Sequence, residues 1–506
     1  MPLSPHQAHL ILNGDDLSVL ESQGHAQRLN GTLRIKKRLT YSPEILKDDG
    51  TILLPPNFAA NIPTTTALSP QADDSWITLP LMFHSQETYE HIGFNATQSA
   101  RFWDFWHSLD PEYRAHDGEE YCFLWHTEEY VRRQVDDPAT RLDDWYGTLQ
   151  KWGIREDLIN SILDPAFTQV RLTQSAKDIL FAVIHDVYTF LLSVRSVSDQ
   201  RDARRKSMAV SEVSVPPTIE ALEGTWASIA DGICDESVLN HSAAPDNIVL
   251  YRGDILSNLL TSYMHNKPSF LPVCALGTHH GSNGSGDGDS TPRLPDKQLV
   301  ETNLILNTNN QSALYNNNIC APADFTSMVP AWHFTPQLSI AKQFAEYTAK
   351  KVPASVPVIV RFELPRALFE GKQPAIHHTF SSWQSDTWKR FVWHKRNQDF
   401  VPKDLKAEIS YSTQLLIGPI TRAHDEDVRG MKGWEDIDQR HVYKVGEKYE
   451  RGEGGEDSDG FEVGVQYVFP MSFAGDRTDL MEEIYARCRN NFRVCRLRDA
   501  DTGLIK

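Results

Sequence analysis

The sequence predicts an α+β protein whose N-terminal part is mainly α-helical, and three observations carry this. Residues 97 to 197 repeat apolar side chains at helical spacing, residues beyond 245 carry β-branched runs bounded by turn formers, and a polar segment ending in Pro216-Pro217 separates the two. At 506 residues the chain also exceeds the ~250–300 residues at which a single hydrophobic core stops growing, so more than one unit is expected.

Taken in order, residues 1–75 are rich in Pro, Thr, Asn and Leu with short β-like pieces (TLRIKKRLTY, TILLPP), and are read as an irregular N-terminal segment. Residues 76–197 form the helical region. ATQSARFWDFWHSL gathers Phe102, Trp103, Phe105 and Trp106 near one face, and GEEYCFLWHTEEYVRRQV repeats the pattern. AKDILFAVIHDVYTFLLSVRSV carries a wide buried stripe from Ile179 to Val194. His107, His126 and His185 lie inside these helices beside aromatic residues without a second ligand at i+3 or i+4, so they are read as structural. Residues 198–216 (SDQRDARRKSMAVSEVSVP) read as a linker, and their basic run Arg201 to Lys206 as a solvated helix end.

Residues 217–470 form the second domain. A short helix (PTIEALEGTWASIADGI) precedes the strand DNIVLYRGDIL, and later strands are VPVIVRFELP (356–365) and STQLLIGPI (412–420), with a helix, DTWKRFVWHKRNQ, between them. Two Gly- and Asp-rich tracts, 277–297 and 447–460, read as flexible insertions, and 471–506 as a C-terminal helix and tail. Neither tract has the ending of a phosphate loop or the spacing of an EF-hand.

A net charge of −18 opposes a surface built to coat nucleic acid or anionic membrane. No uninterrupted apolar window reaches the ~18–20 residues of a membrane span, and the start lacks a basic, then apolar leader, so the expectation is a cytoplasmic protein. Six scattered cysteines without CxxC spacing argue against a zinc ribbon or a disulfide framework. HExxH, GxSxG, P-loop and kinase signatures are absent, which removes the corresponding hydrolase and kinase classes.

What remains is an ordered pair of phrases. Tyr251-Arg252-Gly253 ends one strand, and about 80 residues later Trp332-His333-Phe334-Thr335 ends another, directly before the helix 338–350. An Arg at a strand end offers a planar fork of donors suited to a phosphate or ribose. Pro336 suits the first turn of the following helix and the Ser339 hydroxyl its cap.

In LYRG and HFTPQLSIAKQFAEY, together with the late LLIGPI strand, the chain resembles the ADP-ribosyltransferase-like superfamily, and in particular its divergent fungal-type branch; the likeness spans about residues 245 to 425. The resemblance implies a split β-sheet that clamps NAD as substrate or ligand, with Arg252 on the phosphate or ribose. It implies Thr335 on the nicotinamide ribose or bracing the strand, and Phe334 and Tyr347 as the nicotinamide wall, while Trp332 and Phe344 are expected in the core. The expected activity is transfer of ADP-ribose from NAD to a protein or small acceptor, or hydrolysis of NAD.

Glycosidic cleavage of NAD passes through an oxocarbenium-like state that active members of the superfamily stabilise with a carboxylate on the late strand. That place falls near Gln414, which can hydrogen-bond a ribose but supplies no charge. Glu408 lies six residues earlier, about 20 Å away in an extended chain. Glu363 reads as sheet-rim surface charge, and His394, Lys395 and Arg396 as a basic helix terminus. The alternative expectation is therefore a catalytically inactive module of the same fold that binds a nucleotide or a protein partner.

Overall fold

The computed structural model describes residues 10–41, 45–46, 52–53, 75–110, 119–134, 145–211, 233–234, 236–258, 324–325, 331–368, 377–397, 401–409, 413–446, 461–470 and 492–497. The two insertions, the short helix before residue 233 and the helix expected after 471 lie outside them.

The chain opens with helix α1 (Gly14–Ser22), whose N-cap Asn13 accepts from the Asp15 amide. Strands β1 (Ala26–Leu29), β2 (Thr32–Lys36) and β3 (Trp76–Pro80) follow as an antiparallel sheet in that order. Residues 10–41 are thus more regular than expected, and β3 belongs to the same sheet as β2, so no seam falls at 75. Next come α2 (Gln86–His91), α3 (Ala96–Ser108), α4 (Glu119–Arg133), α5 (Tyr146–Lys151), α6 (Glu156–Ile162) and the long α7 (Ala176–Ser211). Ser85 and Asn95 cap α2 and α3 with side-chain oxygens that accept amides of the first turn.

The expected linker 198–216 is helical through Ser211. Its charges sit at helical spacing: Arg195 pairs with Asp199 and Lys206 with Asp202, each four residues apart. Its inner face docks on α1 through Ser198, Arg201 and Arg205, all bonded to Asp16. By length and composition α7 through Lys206 could cross a membrane, but its apolar positions Ile179, Leu180, Val183, Ile184, Val187, Leu191 and Val194 are buried in the protein.

Beyond α7 the described residues form two four-stranded sheets. One has the order β4 (Ile233–Cys234), β11 (Phe492–Arg496), β7 (Pro357–Pro365), β5 (Asn247–Ile255). The other runs β8 (His377–Thr379), β9 (Leu415–Pro419), β10 (Val465–Pro470), β6 (Ala331–Phe334). In each the outermost pair named first is parallel and the remaining pairs are antiparallel. Helix α8 (Leu338–Lys351) packs on the first sheet, and α9 (Asp386–Arg396) and α10 (Lys403–Glu408) accompany the second. The mixed α+β class is therefore present, while β10 and β11 were not expected from the sequence.

One hydrophobic cluster runs from Ile11 and Leu17 through α7 to Ile255, Ile340, Tyr347 and Tyr443. Two smaller ones lie beside α8 (Tyr251, Ala341, Ala345, Ile359) and beside α9 (Phe380, Trp388, Phe391, Leu416). The helical region and the sheets thus share a core, rather than meeting across a linker.

Candidate functional site

Among the described residues, the backbones of the two sheets are joined by one reciprocal pair of hydrogen bonds. Tyr251 on β5 donates its amide to the Thr335 carbonyl at 2.7 Å, and the Thr335 amide returns the bond to the Tyr251 carbonyl at 2.8 Å. The two phrases singled out in the sequence therefore meet in space.

Alternation along β5 sends Tyr251 and Gly253 to one face and Arg252 and Asp254 to the other. On the Gly253 face α8 approaches so closely that a Cβ there would lie 1.9 Å from the Ala341 carbonyl oxygen and 2.6 Å from the Ala345 nitrogen. On the opposite face the Arg252 guanidinium stands 5.8 Å from the centre of the Trp332 ring and binds Asp254 Oδ2 through Nε at 3.3 Å and Nη2 at 3.2 Å. The Arg252 side chain keeps 15% of its surface open, so it remains reachable at the crossing of the sheets.

A polar chain leads inward from there. His333 Nδ1 lies 3.4 Å from Gln466 Oε1. Gln466 Nε2 donates to Asp324 Oδ2 at 2.6 Å and to the Pro419 carbonyl at 3.3 Å. With that amide nitrogen committed, its oxygen faces His333, which assigns the imidazole proton to Nδ1. Burial first, and then the nearby Arg252 charge, push His333 down to about 4, so its ring is neutral at pH 7. Asp324 completes the chain with Arg396 Nη2 at 2.6 Å, Arg396 Nε at 3.0 Å and the Thr421 amide at 2.7 Å. Arg396, expected on a solvated helix end, is thus one half of a buried ion pair.

Thr335 is buried and its hydroxyl accepts the Gln337 amide at 3.2 Å. Gln337, rather than Ser339, occupies the N-cap position of α8, and Pro336 precedes it. The Gln337 side chain then accepts the Val465 amide at 2.7 Å and donates to the Val463 carbonyl at 2.8 Å and to Glu462 Oε1 at 2.9 Å. An exposed carboxylate, Glu462, is thereby tied to the Thr335 turn.

The other expected residues lie elsewhere. Phe334 is buried between Phe362 and Phe469, as part of the sheet interior. Tyr347 is buried against the helical region, its hydroxyl donating to the Ile162 carbonyl at 3.0 Å. Neither presents a wall to a ligand at the crossing. Trp332 is in the core, as expected.

Phe334 pairs with Tyr467, which carries Thr335 to the level of Gln466, and Gln466 in turn faces Gly418. Gln414 is four residues back from Gly418, hence roughly 13 Å along the sheet and two strands across from Thr335. Glu408 ends α10 exposed, accepting from the Thr387 hydroxyl at 2.8 Å. The structure thus brings Arg252 and Thr335 together and leaves Gln414 and Glu408 at the far end. Glu363 is structural: burial raises its carboxyl, but bonds from Asn247, the Ala244 amide and Arg361 outweigh this and hold it low.

Sequence reasoning missed Gln466, Asp324 and Glu462. The available signal was VQYVFP, an alternating run that places a Gln on a buried face. No family model matches this chain, and no curated protein or solved structure matches it.

Proposed function

We propose that the crossing of the two sheets binds NAD or a related nucleotide in the manner of an ADP-ribosyltransferase-like split sheet. The observation that carries the reading is the reciprocal Tyr251–Thr335 bridge, which sets a partly open Arg252 beside Trp332 and His333 where the two sheets meet. Arg252 offers charge-assisted donors to a phosphate or ribose, and neutral His333 adds polarity without charge.

The carboxylate that such a transferase needs would be Glu462, held to the Thr335 turn by Gln337, rather than Gln414 or Glu408. In that arrangement the protein transfers ADP-ribose to an acceptor or hydrolyses NAD. A second reading keeps the cleft as a catalytically inactive binding or protein-interaction module. It is favoured by Gln466, an uncharged side chain, standing level with Thr335 on the neighbouring strand.

Calorimetry with NAD and an assay of released nicotinamide separate the two. Arg252→Gln is expected to weaken NAD binding about tenfold or more, as loss of a charged hydrogen bond costs about 1.5–3 kcal/mol. Circular dichroism checks that the variant is folded, since Asp254 loses its ion partner. Nicotinamide release by wild type that Glu462→Gln abolishes supports the enzyme. Binding with no release supports the inactive module, and absence of NAD binding by wild type removes both.

A further inference from the structure

On the opposite side of α8 from the Thr335 turn, its C-terminal end meets α2 and α6 around a small open pocket. His91, Arg155, Asp157, Ser161, Lys350 and Lys351 give it a polar lining, and Ile92, Leu158 and Val183 an apolar floor. Three of the nitrogen donors there come from different elements: His91 from the end of α2, Arg155 from the residue before α6, and Lys351 from the last turn of α8.

The bonds of these residues are uneven. Lys350 is neutralised by Asp164, and Arg155 spends Nε on Asp157 at 2.5 Å and Nη1 on the Glu90 carbonyl at 2.8 Å. Lys351 is only 5% exposed, yet its ammonium has no hydrogen-bond acceptor among the described residues; it stands 4.1 Å from the centre of the Tyr347 ring. His91 Nε2 is likewise buried and unpartnered. Arg155 Nη2 takes no acceptor among the described residues either. A buried imidazole nitrogen left unsatisfied is costly, unless a group that accepts hydrogen bonds occupies the space beside it.

We propose that this pocket is a binding site for a phosphate-sized oxyanion, held by Lys351, Arg155 and His91. The three residues line the pocket from three different elements, an arrangement that suits a tetrahedral anion better than a planar carboxylate. Asp157, the carboxylate in the lining, is already engaged by Arg155, and Ser161 spends its hydroxyl on the Asp157 carbonyl at 2.8 Å. Burial pushes Lys351 down to about 8, against the pull of Asp186, which leaves it mostly cationic at pH 7. The site is separate from the sheet crossing: it uses the opposite end of α8 and none of Arg252, Thr335 or Glu462.

The test is titration of the full chain with inorganic phosphate at constant ionic strength, followed by calorimetry and phosphorus NMR, with acetate as the planar control. Wild type is expected to bind phosphate more tightly than acetate. Lys351→Met, which keeps the length of the chain without its charge, is expected to lose about tenfold or more in phosphate affinity, as is His91→Leu should the lysine variant fail to fold. Arg133→Gln, at an exposed arginine outside both sites, is expected to leave phosphate affinity unchanged, and NAD binding that persists in Lys351→Met keeps this result distinct from the fate of the NAD reading. No phosphate binding by wild type, acetate binding as tight as phosphate, or an unchanged affinity in both pocket variants overturns the proposal.

Discussion

Gly253→Ala is expected to destabilise the protein by roughly 3 kcal/mol or more, at or beyond the upper end of what overpacking usually costs. The reason is geometric. The added methyl would sit 1.9 Å from the Ala341 carbonyl oxygen and 2.6 Å from the Ala345 nitrogen, both of them backbone atoms of α8 that cannot rotate aside. Relief requires the whole helix to lift from β5, which would open the cluster of Tyr251, Ala341, Ala345 and Ile359. Lifting α8 would also disturb the Thr335 turn at its start and Lys351 at its end. Urea denaturation measures the effect, and Gly147→Ala is the control. Nothing lies within 4 Å of a Cβ at Gly147, which sits inside α5, so alanine there is expected to be neutral or to stabilise by up to about 1 kcal/mol. Equal midpoints for Gly253→Ala and wild type would show that α8 does not press on β5 as described.

That contact also shows what a reader of the sequence can reach. β5, β7, β9 and α8 are legible because β-branched runs and helical spacing are local signals, read within about ten residues. The meeting of Arg252 and Thr335 was legible as well, from the order of the two phrases. Their surroundings were not, because the partners are remote: Gln466 lies 133 residues from His333 and 142 from Asp324. Alternation in VQYVFP puts the Gln on the face of Val468, but its partners stay hidden until the neighbouring strands are known. The resemblance puts the late-strand place near Gln414, whereas β10 lies between β9 and β6 and brings Gln466 level with Thr335. Phe334 and Tyr347 failed as cleft walls for a different reason, since an aromatic at a strand end or on a helix carries no local mark of which layer it will face. The linker expected at 198–216 illustrates charge read without period. Its pairs four residues apart mark a helix, and Arg201 and Arg205 turn inward because an aspartate 185 and 189 residues earlier receives them.

That aspartate carries the second large effect. Asp16→Ala is expected to cost about 3–5 kcal/mol, the usual penalty for breaking a buried ion pair by removing one partner. Asp16 and Arg201 are both 0% exposed, and the carboxylate holds Arg201 at 2.8 Å, Arg205 at 2.5 Å and the Ser198 hydroxyl at 2.5 Å. Without it the fully buried Arg201 guanidinium loses its carboxylate, while its bond to the Leu39 carbonyl at 2.6 Å supplies no opposite charge. The double replacement Asp16→Leu with Arg201→Met is expected to recover much of the loss, because it removes both charges and their desolvation together. Burial raises the Asp16 carboxyl, but Arg201, Ser198 and Arg205 together bring it below its ordinary 3.8. A depressed carboxylate contributes stability that is complete above the unfolded-state value and is lost as pH falls through the lower folded-state value. The gap in urea midpoint between wild type and Asp16→Asn is therefore expected to stay constant from neutral pH down to the region above 3.8 and to shrink below it. A gap that does not change with pH would mean that Asp16 acts by shape and hydrogen bonding alone. A gap that widens in acid would place the charge of the pair on the wrong side of the balance.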